Sequence, residues 1–381
     1  IIRGKALKAL IGTEPCAVAS LRVIGPLGEV PSQYDEFDNP AAPNHELDAD
    51  DELVFQATVP ANGNAAYWLY WSTTPLPPAR YQSTLMIGDA LEPLTFQHDI
   101  QLWNDRCLLG LRGPARGADP TKNEAVNWGA GALVLFEIDQ QPIVRGGWTN
   151  MVPLGAIACH PGLDAARWEA PRIAVHGPVR VCASTRLTDA EITAANQPAG
   201  KVDVEHRVWL YRGGAYICFE ELIRAKTPIK QLMLRYEKGF SLGDKGDMPV
   251  WYSLKGTPTS YLPTPEQFAE GKKGTIIFQN ADFDSWLAEY SPETHNGYLV
   301  MLDTGAARPV GDAIRMSCYA RSSLIARFDR TCTDVRPDDL LTQRLWVVGL
   351  REVANGLLPL ATWQDLTTPP VALGVMEKVT P

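Results

Sequence analysis

Glu205, Arg207, Trp209, Tyr211, Tyr216 and Glu220 lie in phase along VDVEHRVWLYRGGAYICFEELIRA, residues 202–225, on either side of a Gly213-Gly214 pair. Glycines accept the positive φ angles of a tight hairpin turn, so the two arms are expected to pair antiparallel. That register sets Tyr211 opposite Tyr216, Trp209 opposite Cys218, Arg207 opposite Glu220 and His206 opposite Glu221. Side chains alternate across a strand, which sorts the hairpin into two faces. One gathers the rings, the arginine and the carboxylates. The other carries Val204, His206, Val208, Leu210, Ile217, Phe219, Glu221 and Ile223, and belongs in a core. Rings beside planar ionic groups suit a saccharide, whose C–H side stacks on an aromatic ring while its hydroxyls meet polar partners. The same residues also fit a plainer arrangement, with Arg207 and Glu220 as an ordinary cross-strand ion pair and the rings against a neighbouring loop. His206 with Glu221 has the composition of an acid–base dyad, yet its apolar neighbours favour a buried structural pair.

Other candidates are scattered. The stretch MVPLGAIACHPGLDAARW, residues 151–168, holds His160, able to move a proton at neutral pH. Arg167 and Arg172 follow, able to grip a substrate carboxylate as a fork. As an isolated loop residue His160 reads more simply as exposed and idle. FDSWLAEYSPETHNGYLVMLD combines Trp286, Tyr290, His295, Asn296 and Tyr298, residue types that serve glycan binding, but spacing alone selects neither tyrosine as a proton donor. His98 lies in phase with Phe96, Ile100 and Leu102 and reads as packing, and His176 precedes a turn. Asp244 and Asp247, and Asp334, Asp338 and Asp339, supply oxygen ligands for a structural calcium ion without matching a twelve-residue calcium loop; solvated turns account for them as well. GxGxxG after a strand, GxxxxGK[ST], HExxH and GxSxG are all absent, which removes the simplest warrants for dinucleotide, P-loop, zincin and α/β-hydrolase chemistry.

The elements that must position these residues are strands. Among 381 residues there are 31 glycines and 30 prolines, too many helix breakers for a bundle and well suited to short strands joined by turns. Strand-like runs recur, including FQHDIQLW, CLLGLRG, GALVLFEID, RIAVHGPVRVCASTRL, GYLVMLD and RLWVVGL, while helical turns are expected only at PEQFAEG. The fold class is therefore all-β: a large antiparallel sandwich, residues 91–381, preceded by a small β domain, residues 1–90. Within that small domain DELVF and AAYWLYWS, separated by the turn signal ANGN, read as a hairpin, and the proline-rich TTPLPPAR closes the domain. A formal net charge of -9 argues against a nucleic-acid partner. No run approaches the 18 or so apolar residues of a transmembrane helix. Seven cysteines without a CxxC read as free, mostly buried thiols. The chain starts at Ile1 with no visible leader, as a processed or trimmed terminus would.

In its order of features the chain resembles carbohydrate-active proteins with the galactose-mutarotase-like β-super-sandwich, found in several polysaccharide lyases and glycosidases. The likeness rests on GEVPSQYDE and DELVFQATVPANGNAAYWLY, then LWNDRCLLGLRG, then HGPVRVCASTRL leading to HRVWLYRGGAYICFEEL, then SWLAEYSPETHNGYLVML, and these stretches span most of the chain. The resemblance implies a polysaccharide or oligosaccharide ligand, a secreted or periplasmic location and no required cofactor. A lyase of that type performs β-elimination across a uronic acid. The implied roles are Arg207 with Glu205 or Glu220 on the sheet face, His160 from the loop, Tyr211 or Tyr290 as acid, and Trp209 stacking the sugar. Related lyases often add a helical toroid, which this chain has no room for. A glycoside hydrolase would instead use two carboxyl groups flanking the glycosidic oxygen, for which Glu205 and Glu220 are the candidates. A noncatalytic glycan-binding module would use the same face for binding alone.

Overall fold

The computed structural model describes residues 1–37, 44–60, 63–91, 98–111, 133–139, 141–145, 169–194, 197–240, 250–254, 257–261, 275–279, 283–291, 296–303, 315–318 and 324–351. The all-β expectation is borne out: apart from a short helix and one 3-10 turn, every described element is a strand, and every pairing between them is antiparallel.

The N-terminal unit holds two small sheets. One orders β1 (Ile2–Arg3), β5 (Glu52–Phe55) and β4 (Ser32–Asp35); the other orders β3 (Gly28–Val30), β2 (Arg22–Gly25) and β6 (Trp68–Tyr70). The expected hairpin between β5 and β6 does not form. β5 is a central strand with both edges taken, by β1 and β4, and β6 must pair with β2 in the other sheet. Sequence reading also missed α1 (Gly4–Ile11), whose stripe of Gly4, Leu7 and Ile11 spans barely two turns, too short to register as periodicity. Leu7 and Ile11 fill a core with Val18, Leu21, Val23 and Leu53. The helix ends at Gly12, whose φ of 75° lies in the left-handed region that glycine supplies without strain. β7 (Met86–Leu91), which spans position 90, pairs with the strand that follows it, so the pairing of the N-terminal unit ends at Tyr70.

A five-stranded sheet follows, ordered β11 (Gln141–Arg145), β10 (Leu133–Ile138), β9 (Cys107–Leu111), β8 (His98–Trp103) and β7. The largest sheet has nine strands: β12 (Arg172–His176), β13 (Arg180–Ala194), β14 (Gln197–Tyr211), β15 (Tyr216–Ala225), β24 (Leu340–Arg351), β21 (Asn296–Asp303), β20 (Phe283–Ser291), β17 (Val250–Leu254) and β18 (Thr257–Tyr261). Two further pairs complete the described strands, β16 (Ile229–Phe240) with β23 (Leu324–Val335) and β19 (Thr275–Gln279) with β22 (Arg315–Cys318).

The large sheet buries one face as core. Val204 of β14 and Ile223 of β15 pack with Ile229 and Leu232 of β16 and Cys332 and Val335 of β23, so that pair covers one part of the sheet. The five-stranded sheet covers another: a Cβ on Gly349 of β24 would collide with Ile138 of β10, and Asn104 Nδ2 donates to the carbonyls of Tyr211 (2.7 Å) and Gly214 (3.0 Å) at the β14–β15 turn. The hairpin register follows the expectation, with Trp209 opposite Cys218, Arg207 opposite Glu220 and His206 opposite Glu221. Cys16, Cys107, Cys182, Cys218 and Cys332 are free thiols, as expected of this spacing.

The N-terminal unit is fastened to the end of the large sheet by buried polar groups. Gln33 Oε1 accepts from the backbone N–H groups of Val179 (2.8 Å) and Arg180 (2.9 Å), and its Nε2 donates to the Arg180 carbonyl (3.0 Å). Arg180 reaches back to Asp35 Oδ2 (2.8 Å from Nε) and Glu52 Oε2 (2.6 Å from Nη2). Burial works against the Arg180 charge, but Asp35 and Glu52 more than offset it and the guanidinium stays ionised.

Candidate functional site

The ionic residues of the hairpin sit on the sheet face opposite the core, and strand pairing extends them sideways into a row. Ser184 of β13 lies opposite both Arg172 of β12 and Arg207 of β14; Arg207 lies opposite Glu220 of β15, and Glu220 opposite Arg344 of β24. Arg186 and Glu205 form the next row. Arg344 donates to Glu220 Oε1 from Nε at 2.7 Å, and Trp209 Nε1 donates to Glu220 Oε2 at 3.2 Å. Arg207 stands between the carboxylates, with Nε 3.1 Å from Glu205 Oε1 and Nη1 3.8 Å from Glu220 Oε2. Arg186 Nη2 holds the other Glu205 oxygen at 3.0 Å. Burial would raise the Glu205 carboxyl, but the charges and hydrogen bonds of Arg207 and Arg186 outweigh it and keep the group below the usual carboxylate range. At the end of the row Arg172 Nε lies 3.2 Å from Ser184 Oγ, while Arg172 Nη2 is buried and meets no hydrogen-bond partner among the described residues.

The aromatic residues depart from the expectation. Trp209 is only 3% exposed and offers no open platform for a sugar. The Arg180 guanidinium lies 4.2 Å from its ring centroid, and Phe37 meets it edge-on at 6.2 Å. Phe37 also lies under Arg207, at 5.1 Å. Tyr211 is packed between Tyr216 and Trp346, at 5.5 and 5.8 Å, and burial pushes its phenol well above the ordinary value. Trp286, expected to contact saccharide, is fully buried with Ala288, Leu299 and Met301. What remains accessible is the arginine side: the Arg186 and Arg344 side chains are 38% and 31% exposed, whereas Glu220 is almost entirely covered.

The sheet thus brings together Glu205, Arg207, Trp209, Tyr211, Glu220 and Arg172. Tyr290 and Tyr298 belong to β20 and β21, on the far half of the sheet, and their side chains lie outside the described ones. His160, Arg167, Asp244, Asp247 and His295 lie outside the described residues. His206 and Glu221 are buried on the core face, Nδ1 to Oε1 at 3.5 Å, with the imidazole stacked on Phe219. Among the described residues no three His, Cys, Asp or Glu side chains converge as metal ligands, and no helix is long and apolar enough to cross a membrane.

Sequence reasoning missed Arg344 and Trp346, yet a signal was present. Arg207-Val208-Trp209 and Arg344-Leu345-Trp346 repeat one pattern on the two strands that flank β15, so Glu220 and Cys218 each sit between a matching pair. Arg186 and Arg180 join the face through the register of β13 on β14, while Phe37 had no comparable signature, since it reaches the face only because a distant segment folds over it.

No family model and no curated protein matches the chain. Solved structures do resemble it. A galactose mutarotase-like protein from Lactobacillus casei superposes with a TM-score of 0.41 at 10% identity, over 66% of this chain and 100% of that one. A TPR-domain containing protein from Parabacteroides distasonis gives 0.47 at 9% identity, over 77% and 57%. An alpha-galactosidase from Geobacillus stearothermophilus gives 0.41 at 10% identity, over 74% and 43%. The chain is similar in fold, weakly, to galactose-mutarotase-like β-sandwiches, as its sequence pattern implied, and a likeness of this degree gives no side chain a role.

Proposed function

We propose that the chain is a carbohydrate-active protein whose arginine row holds a saccharide carrying an acidic group. The observation that carries this reading is the charge balance of the row. Arg172, Arg186, Arg207 and Arg344 face two described carboxylates, Glu205 and Glu220, and Asp303, opposite Arg344 in register, still leaves cations in excess. Arg172 is the unbalanced end: its Nη2 is buried without a partner among the described residues. Partial burial makes a guanidinium N–H without a partner unfavourable, and an anionic ligand would supply that partner. A planar guanidinium fork is also the group best shaped to take a carboxylate.

For the chemistry, turnover by paired carboxylates, or binding alone, accords with the face better than β-elimination. Glu205, held ionised beside Arg207, suits a nucleophile or a stabiliser of positive charge, and Glu220 lies on the other side of the same guanidinium. Of the two tyrosines considered as the acid of an elimination, Tyr211 is packed between Tyr216 and Trp346, which disfavours it as a donor to a leaving oxygen. A polysaccharide ligand accords with a secreted or periplasmic protein.

Affinity electrophoresis against acidic and neutral polysaccharides tests the reading, with reducing-end and ultraviolet assays run in parallel. Acidic chains should retard the wild-type protein more strongly, and Arg172→Gln should remove that preference. Equal retardation by both classes, or an acidic preference untouched by Arg172→Gln, would sink the reading. New reducing ends without an unsaturated uronide mark hydrolysis, ultraviolet absorbance marks elimination, and neither marks a binding module.

A further inference from the structure

The N-terminal unit carries a pair of rings that the arginine row does not use. Burial along β6 alternates. Leu69 turns inward to the core of Leu7 and Val23, leaving Trp68 and Tyr70 outward at 51% and 57% exposure. Two residues along a strand separate the rings by about 7 Å, on one side of a backbone that holds both in place. Single exposed apolar residues are ordinary, but two large rings in phase on one edge strand form a platform. Register completes the face. Ile24 lies opposite Trp68, Arg22 opposite Tyr70, and Glu29 of β3 opposite Ile24.

The polar groups of this face are fixed and cancel in charge. Arg22 donates from Nη1 to the carbonyls of Ala19 (3.0 Å) and Leu21 (2.7 Å), and from Nη2 to that of Pro77 (2.7 Å). Its Nε lies 3.6 Å from Glu29 Oε1, which also accepts from the Tyr81 hydroxyl at 2.7 Å. Beside Arg22 opens a cleft of about 260 Å³, lined by Ser32, Tyr34, Tyr81 and His176 among others, between the N-terminal unit and the end of β12. That is room for about one small ring.

We infer that this face and its cleft form a second saccharide-binding site, separate from the arginine row and directed to neutral sugar rings. Trp68 and Tyr70 would stack on successive parts of the chain, while Glu29, Tyr81 and Ser32 meet hydroxyls. The cancelled charge of Arg22 and Glu29 gives an ionic ligand no advantage here. An apolar protein partner would desolvate both groups without replacing their water, whereas hydroxyls replace it.

The test uses the full chain in gels containing a neutral glucan, galactan, xylan or mannan. At least one should retard the wild-type protein, and Trp68→Ala and Tyr70→Ala should each weaken that binding tenfold or more without changing the melting temperature. Arg172→Gln should leave it intact, which separates this site from the arginine row. Unchanged retardation in the Trp68→Ala, Tyr70→Ala double variant, or no retardation by any neutral chain, would overturn the inference. So would sedimentation showing that Trp68→Ala turns a dimer into a monomer, which would make the face a contact between copies.

Discussion

Trp209 and Trp68 stand in similar company, each sharing a sheet face with an arginine and a glutamate, yet one is 3% exposed and the other 51%. The difference lies in what the rest of the chain brings to each sheet. β14 lies well inside a nine-stranded sheet, whose core face takes β16 and β23 and whose other face takes Phe37 from the N-terminal unit, over Trp209 and beside Arg180 of the neighbouring strand β13. β6 is the edge of a three-stranded sheet that needs only one cover, the core around α1. An antiparallel sheet tolerates one solvated face, and only the small sheet uses that freedom for its rings. Ring and charge on a strand therefore name a candidate chemistry, while exposure decides whether a ligand can reach it.

The sharpest way to break the comparison is to remove each tryptophan. Trp209→Ala should cost about 3 to 5 kcal/mol, because it deletes a buried ring beneath Arg180 and Phe37 and takes a donor from Glu220. Urea denaturation reads this directly, and a loss below about 1 kcal/mol would show that the ring is not the buried keystone described here.

Next in size is the fastening that covers that ring. Arg180→Met leaves Asp35 and Glu52 without their cation in a buried setting and should cost about 3 kcal/mol. Asp35→Asn in the same background should recover part of the loss, since one stranded charge is then removed. Strict additivity of the two substitutions would show that the pair is not coupled.

How far these features were legible depends on sequence distance. The hairpin register from Val202 to Ala225 could be read because Gly213-Gly214 fixes where the strands turn, and the two faces then follow from alternation. Arg344 pairs through a strand more than a hundred residues away, and only the repeated Arg-x-Trp pattern hinted at it. The cover was not legible at all. Nothing local in Phe37 says that it folds over Trp209, and nothing local in β5 says that its edges are already occupied by β1 and β4. Trp68 was readable as a strand residue but was assigned the wrong partner, for that same reason.

A smaller effect distinguishes the half-open arginine row through pH. Glu205 has a folded pKa below the ordinary carboxylate value, so its ionised form stabilises the fold above that ordinary value and the contribution fades as pH falls through the lowered one. The wild-type protein should therefore melt above Glu205→Gln at neutral pH, with the gap closing below about pH 4. A gap constant down to pH 3 would mean that the arginines interact with Glu205 through geometry alone.

The smallest effect completes the contrast. Trp68→Ala and Tyr70→Ala remove rings of the same kind as Trp209→Ala, yet each should change stability by no more than about 0.5 kcal/mol, because neither ring fills a core. The same urea titration applied to all three variants makes the comparison direct. If Trp68→Ala proved as costly as Trp209→Ala, the outward face of β6 would be packed in the folded protein, and exposure would no longer separate the two tryptophans. A stability unchanged together with lost neutral-glycan retardation leaves ligand contact as the reason those rings stand in water.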